Sequence, residues 1–362
     1  MATARRIAII GAGPAGATAA LALARNKRDE VVLLDRDPFP RMKTCGSALS
    51  PRCLTLTRKL GLDARLQPLA YGIKGLHFTG PAGRRATLVG NEGAWVVARS
   101  VFDAELAFAA ERAGARFVQG FKAHTLLRDD SGRVRGVSDG KQEIEADLTL
   151  VADGAHSRFS LDQRPKRQIA TIMTWYEGVP FTPGLMEMWF DKRVAPWYGW
   201  LFPETDKRVN IGICYDPEDA TNPRDIFSEI VERHVGRDRM RNADQVMKFR
   251  GAPIVYAESV GPVSQPGALW IGESARLTNA ATGEGIGYAM QSALIAADVI
   301  GRCDDAALGA EYSRALSWSF AARLKIALGF MRFAGSPMFS TLTSLLAVRP
   351  VEKAITYALE YV

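Results

Sequence analysis

Three glycines near the start of the chain, Gly11, Gly13 and Gly16, form G-x-G-x-x-G, and an acid, Asp35, closes the next apolar run. In this spacing the first glycine permits a tight turn, the second lets backbone reach a diphosphate, and the third lets a helix pack closely on a strand. Pro14 and Ala15 fall where that helix would begin, with free N–H groups and a positive dipole end for the diphosphate. An acid at the position of Asp35 accepts hydrogen bonds from ribose hydroxyls, and Arg36 follows it at the cleft edge. The elements that must place these residues are legible around them. Arg6 to Ile10 is a short β-branched run suited to a buried parallel strand, an Ala/Leu-rich helix runs to about Ala24, and VVLLD is a second strand.

Two distant segments extend the site. LTLVADGAHS puts Asp153 and Gly154 at the end of another apolar run. ALWIGESARLTNAATGEGIGYAM puts Gly272 and Glu273 after a strand, and Gly283, Gly285 and Ile286 before a long apolar helix. A second helix N-terminus aimed at the same cleft suits FAD, whose ribityl chain and flavin need contacts beyond the first βαβ unit. The chain holds one complete dinucleotide fingerprint. The expected electron donor is therefore NAD(P)H binding transiently, or a reduced, ferredoxin-like carrier protein.

Composition agrees with a globular chain of two or three subdomains: 362 residues, 47% hydrophobic and 23% charged. The net charge of +7 suits an anionic cofactor, an acidic substrate or a membrane surface. No basic run is interleaved with aromatics, so nucleic acid is not an expected partner. Cys45, Cys53, Cys214 and Cys303 form no C-x-x-C pair, and His77, His124, His156 and His234 have no ligand spacing. Neither a metal site nor a catalytic triad is expected, and a reducing, cytoplasmic compartment fits. Gly-Pro-Ala-Gly interrupts the first apolar run, which argues against a leader peptide. The most apolar later stretch, Leu324 to Val348, carries Lys325, Arg332 and Pro337 and does not read as a membrane span.

Taken in order, the FAD segments resemble the p-hydroxybenzoate-hydroxylase-type flavoprotein superfamily over nearly the whole chain. Arg99-Ser100-Val101-Phe102-Asp103 is similar to that group's R-x-x-F-D segment, which implies that Arg99 approaches the flavin side of FAD. Glu273 stands where the group usually has Asp, and Ala280 where proline is usual. The expected fold is α/β. A Rossmann-type FAD-binding domain is split over 1–71, 98–165 and 256–303, and a C-terminal helical region covers 304–362. The insertions 72–97 and 166–255 read as β-rich and form an antiparallel substrate domain.

In that second domain ATIMTWYEGV, LMEMWF, WYGWLF and RVNIGICY alternate like strands of one sheet. Period two places Met173 with Trp175, Met186 with Met188 and Phe190, and Tyr198 with Trp200 and Phe202, leaving Trp197 and Leu201 behind. Such a face would line a large apolar cavity over the flavin, the alternative being a sheet packed on its own helices. The segment PWYGWLFP resembles P-x-Y-x-W-x-F-P, the substrate-domain signature of the geranylgeranyl reductase family. That family follows it with G-x-G, matched by Gly212 but not by Cys214. KTCGSAL resembles the family's K-x-C-G-x-x-L loop, with Ser47 where glycine is common. The resemblance places Cys45 and Gly46 beside the isoalloxazine. It implies hydride transfer from reduced flavin to a carbon–carbon double bond of an apolar, prenyl-like or polycyclic substrate. Cys45 would gate the flavin or donate the proton, Tyr198 is a second proton donor, and Trp200 shapes the cavity.

Two other functions fit the same scaffold: a flavin-dependent monooxygenase or halogenase acting on an aromatic compound, and a flavin-bound protein without turnover. At the C-terminus Leu324, Leu328 and Met331 recur at helical spacing, as for a cap closing the substrate domain. Shallow docking of that helix on a membrane, with Arg323, Lys325 and Arg332 toward anionic headgroups, is the alternative.

Overall fold

Apolar runs bounded by Gly, Pro and Asp become the strands, and the alanine-rich stretches between them become the helices. The structure is a computed structural model that describes residues 4–89, 93–164, 166–218 and 222–344. Along the chain these are β1 (Arg6–Ile10), α1 (Pro14–Arg25), β2 (Glu30–Asp35), α2 (Pro51–Lys59), β3 (Gly75–Thr79), β4 (Arg85–Leu88), α3 (Arg99–Arg112), β5 (Arg116–Gln119) and β6 (Leu148–Val151). Next come β7 (Arg167–Glu177), β8 (Leu185–Trp189), β9 (Gly199–Pro203), β10 (Arg208–Tyr215), α4 (Pro223–His234), β11 (Arg250–Tyr256) and β12 (Ala268–Trp270). Helices α5 (Ile286–Arg302), α6 (Asp305–Ala334) and α7 (Pro337–Ser344) follow. Of the stretch 304–362 expected to be helical, α6 and α7 cover most of the part through Ser344, and 345–362 lies outside the described residues.

The first sheet runs β12-β6-β1-β2-β5 in parallel, with Ser264–Gln265 antiparallel at its edge. Its central strands, β1 and β6, are buried apart from Arg6 at the start of β1, as a parallel sheet covered on both faces must be. Helix α1 packs against both α5 and α3. Its small alanines and Gly16 allow that approach: a Cβ on Gly16 would stand 1.8 Å from the Gly11 carbonyl oxygen.

The second sheet has the order β7-β10-β9-β8-β3-β4, with β11 and Asp244–Gln245 also paired to β7. Its neighbours are antiparallel except β3 and β8, which run parallel. One face carries Ile172, Trp189, Leu201, Val209, Ile211 and Ile213 against Ile226, Phe227 and Ile230 of α4. The other carries Met173, Trp175, Met188, Tyr198, Trp200, Phe202 and Cys214. Trp197 joins this second face instead of packing behind. Strand β9 begins only at Gly199, so the alternation does not reach Trp197, and its indole donates to the Ala280 carbonyl at 3.1 Å.

Helix α6 braces both cores. Its first two thirds, through Leu324, pack into the core of the parallel sheet. Ala327, Leu328, Met331 and Ala334 pack with the aromatic face of the second sheet, where Phe339 of α7 meets Phe78 and Phe190. The Leu324, Leu328 and Met331 stripe thus faces inward, as a cap.

Helix α4 is tied to β8 by one charge cluster. The Asp191 carboxylate accepts from Arg233 at 2.7 Å and from the Arg193 N–H at 2.8 Å, and lies 2.9 Å from Nε2 of His234, whose ring stacks on Trp189. Burial pushes this carboxyl up, but those partners hold it well below the usual carboxylate range. The stabilisation is therefore present above the unfolded-state pKa and is lost as pH falls below it. Asp191→Ala should cost about 3 kcal/mol at pH 7, the loss typical of removing one partner of a buried pair. Urea denaturation should show the gap between wild type and variant narrowing at pH 3.

Candidate active site

The site is built where β1, β2 and β6 end. Gly11 turns with φ +97° while its N–H donates to the Leu34 carbonyl at 2.7 Å. A Cβ there would stand 2.5 Å from the Ala152 carbonyl oxygen, so two backbones meet at that point. The Asp35 carboxylate accepts from the N–H groups of Ala12 at 2.8 Å and Asp37 at 3.0 Å, which fixes it at the mouth of the turn. Helix α1 opens at Pro14 with no side-chain cap, and a Cβ on Gly13 would meet nothing closer than an Arg41 nitrogen at 3.8 Å. This is an open cradle of backbone donors.

Three cations surround the next part of the cavity. Arg99 pairs with Asp103 through two hydrogen bonds of 2.7 and 2.8 Å. Arg41 bridges Asp103 at 3.2 Å and Asp35 at 3.6 Å. Lys43 has no ion pair among the described residues. Burial and Arg99 lower its pKa, while Glu273 opposes them. Burial pushes the Glu273 carboxyl up, and its Oε1 accepts from the Val255 N–H at 3.0 Å. Asp153 is also raised by burial, and its Oδ1 is buried without a partner. A helix N-terminus, unpaired positive charge and an orphaned acceptor fit FAD. The cradle and Lys43 would hold the diphosphate, and Asp153 would accept from a hydroxyl of the cofactor.

The same cavity, about 710 Å³, continues to the aromatic face of the second sheet. Met173, Met186, Met188, Tyr198, Trp200, Phe202 and Cys214 form its apolar wall. The Tyr198 hydroxyl donates to the Thr282 carbonyl, and burial pushes its pKa well above the usual phenol value. The Trp200 indole donates to Asn210 Oδ1 at 2.7 Å. Burial likewise pushes the Cys214 thiol up to about 12, so it is a neutral part of the wall. Opposite, the Cys45 sulfur accepts from the Ser47 N–H at 3.3 Å. Ser47 takes φ +64°, the left-handed conformation that accounts for a preference for glycine there.

Of the residues singled out from the sequence, Gly11, Gly13, Pro14, Ala15, Asp35, Arg36, Cys45, Gly46, Arg99, Asp153, Gly154, Glu273, Gly283, Gly285 and Ile286 line this one cavity. Met173, Met188, Tyr198, Trp200 and Phe202 line it too. Three do not. Gly16 packs under Gly11, and a Cβ on Gly272 would meet the Ala15 and Ala289 side chains. Trp175 lies on the right face but too far along β7, and its indole donates to Glu204 at 2.8 Å. Arg41, Lys43 and Asn210 were missed. Arg41 precedes K-T-C-G and Lys43 opens it, and both could have been read as charges for a diphosphate; Asn210, a lone amide inside an apolar strand, was the weaker signal.

A model described as FAD binding domain matches residues 5–297, and the chain belongs to that family. It is an FAD-dependent oxidoreductase of the geranylgeranyl-reductase-like group. It is 30% identical to a menaquinone reductase of Mycobacterium tuberculosis over 97% of this chain and 91% of the relative. It is 25% identical to a digeranylgeranylglycerophospholipid reductase of Thermoplasma volcanium over 81% and 77%. The crystal structure of a geranylgeranyl bacteriochlorophyll reductase-like protein from Thermoplasma acidophilum superposes with a TM-score of 0.84 at 21% identity, covering 97% of this chain and 96% of that one.

Gly16→Ala should force apart the backbones at Gly11 and cost about 1–3 kcal/mol, as overpacking does. Purified variant is expected to lose bound flavin, read as the ratio of absorbance at 450 to 280 nm (about zero for the apoprotein).

Proposed function

We propose that the protein reduces a carbon–carbon double bond in an apolar, prenyl-bearing substrate. The observation that carries this reading is the single cavity joining a cationic nucleotide cradle to a wall of methionine and aromatic side chains. The names of the relatives, a menaquinone reductase and a digeranylgeranylglycerophospholipid reductase, support a quinone-type or lipid-like polyprenyl substrate. When bound, FAD supplies the hydride chemistry.

The residues of the chain then have separable tasks. The α1 cradle, Arg41 and Lys43 hold the anionic part of the cofactor. The wall excludes water and orients the alkene by shape, because it offers few polar handles. Cys45 lies on the loop facing the wall and is the proton donor of choice. Tyr198 is a poorer donor, since its hydroxyl is already committed to the Thr282 carbonyl. The cofactor domain is assigned to 1–71, 98–165 and 256–303, the substrate domain to 72–97 and 166–255, and the cap to 304–362. NAD(P)H or an electron-carrier protein serves as transient reductant.

Peripheral membrane contact is part of the reading, because such substrates reside in bilayers. The face of α6 turned to solvent carries Trp318, 92% exposed, with Ile326 and Lys325. Arg323 is not part of that face; it donates to Gln291 Oε1 at 2.9 Å. Among the described residues no helix is long and apolar enough to cross a membrane.

The test is anaerobic turnover of dithionite-reduced protein with menaquinones of one to four prenyl units. After reoxidation of the ring to the quinone, a product that keeps two extra hydrogens in its prenyl chain is expected. A hydroxylated or halogenated product formed only with oxygen would overturn the proposal. Cys45→Ala should slow turnover about a hundredfold, the low end for a lost general acid. Tyr198→Phe should stay within about threefold of wild type, as expected for a residue that only shapes the wall. In sedimentation with anionic vesicles, Trp318→Ser should lower the bound fraction while leaving turnover of detergent-dispersed substrate unchanged.

A further inference from the structure

Asn210 is fully buried in the middle of β10, between valine and isoleucine residues that face the opposite core. On the cavity side, β10 presents Asn210, Gly212 and Cys214 in alternation. A buried amide is costly unless it is bonded. Here Oδ1 accepts the Trp200 indole N–H at 2.7 Å, while Nδ2 has no partner. The arrangement therefore serves the indole and not the amide.

Trp200 is pinned on two further sides. It pairs across the strands with Gly212, and a Cβ there would lie 2.2 Å from the indole ring, so the ring rests flat on bare backbone. In front of it stands Gly46, where a Cβ would be 3.3 Å from Trp200 Nε1 and 3.2 Å from the Phe202 ring. Gly46 adjoins Cys45. The indole is thus a fixed spacer between the substrate sheet and the loop that faces the cofactor.

We propose that Asn210 is a positioning residue: by holding Trp200 flat on Gly212 it sets the gap between the apolar wall and the Cys45–Gly46 loop. This rests on the reductase reading for its functional consequence, though not for its geometry. If the bond to Asn210 is lost, the indole N–H is left buried without an acceptor and the ring is driven toward the cavity. Substrate then sits off line and the protein keeps its cofactor.

The experiment compares wild type, Asn210→Leu, Asn210→Asp, Trp200→Phe and the Asn210→Leu/Trp200→Phe double variant. Steady-state reduction of a two-prenyl menaquinone by dithionite-reduced protein, the flavin content and the near-ultraviolet circular dichroism are measured for each. Asn210→Leu should lower kcat/KM about tenfold with full flavin content. Asn210→Asp, which keeps an acceptor oxygen, should stay within about threefold. In the Trp200→Phe background, which has no indole N–H to satisfy, Asn210→Leu should change kcat/KM less than twofold. Additive effects, or an Asn210→Leu variant that loses thermal stability yet keeps wild-type kcat/KM, would overturn the proposal. Should Asn210→Leu fail to fold, a Trp200→Phe variant as active as wild type would overturn it instead. Failure of the reductase reading looks different: wild type itself gives no turnover. In that event a near-ultraviolet spectrum unchanged from wild type in Asn210→Leu overturns the positioning role, and loss of the Trp200 contribution supports it.

Discussion

Everything in this protein hangs on the close approach of backbones at the end of β1. Gly11 meets the Ala152 carbonyl on one side and Gly16 on the other, at separations that leave no room for a side chain. That contact brings the ends of β1, β2 and β6 to one point, and with them Asp35 and Asp153. It also aims the start of α1, which has no side-chain cap, into the same space, where its free N–H groups need an acceptor. The negative diphosphate of a dinucleotide answers that arrangement. Alanine elsewhere along α1 follows from the same constraint, since a helix pressed between α3 and α5 must be thin.

The second sheet solves a different problem. A sheet with one face on α4 and the other on a cavity needs two apolar faces of unlike character. The α4 side is aliphatic and branched; the cavity side is aromatic and sulfur-rich. Aromatic rings can form a wall that stays open because they brace one another: Tyr198 meets Trp200 edge-on at 6.2 Å, and Trp200 meets Phe202 at 5.9 Å. Long α6 then couples the sheets, with its first two thirds in one core and its last third in the other.

The nucleotide half was almost wholly legible in the sequence because its signals are local. Glycine spacing, the terminal Asp35 and the apolar period all lie within one βαβ unit and depend on adjacent residues. The aromatic wall was legible as a face, since period two fixes which side chains share a side. Depth along the strand was not, and so Trp175 was placed in the cavity although it ends at Glu204. Neither was the partner of β3, which pairs in parallel with β8 more than a hundred residues later. Trp197 was misplaced for a similar reason: the strand start that governs alternation is set by contacts with β10, not by the run of rings.

Charge balance explains why the cavity is asymmetric. Arg41 pairs with Asp35 and Asp103, and Arg99 with Asp103, while among the described residues Lys43 has no ion pair and Glu273 is its largest favourable neighbour. Burial moves the two in opposite directions, lowering the ammonium and raising the carboxyl, so both are drawn toward their neutral forms. Such a couple tolerates an arriving anion, because Lys43 gains the partner it lacks. The wall a few residues away carries no comparable charge; its titratable groups, Tyr198 and Cys214, are held neutral by burial. One end of the cavity therefore selects for an anion and the other against one. A molecule spanning both must place its charged part at the cradle and keep the face turned to Trp200 apolar. That division lets a charged cofactor and a greasy substrate share one space without exchanging places.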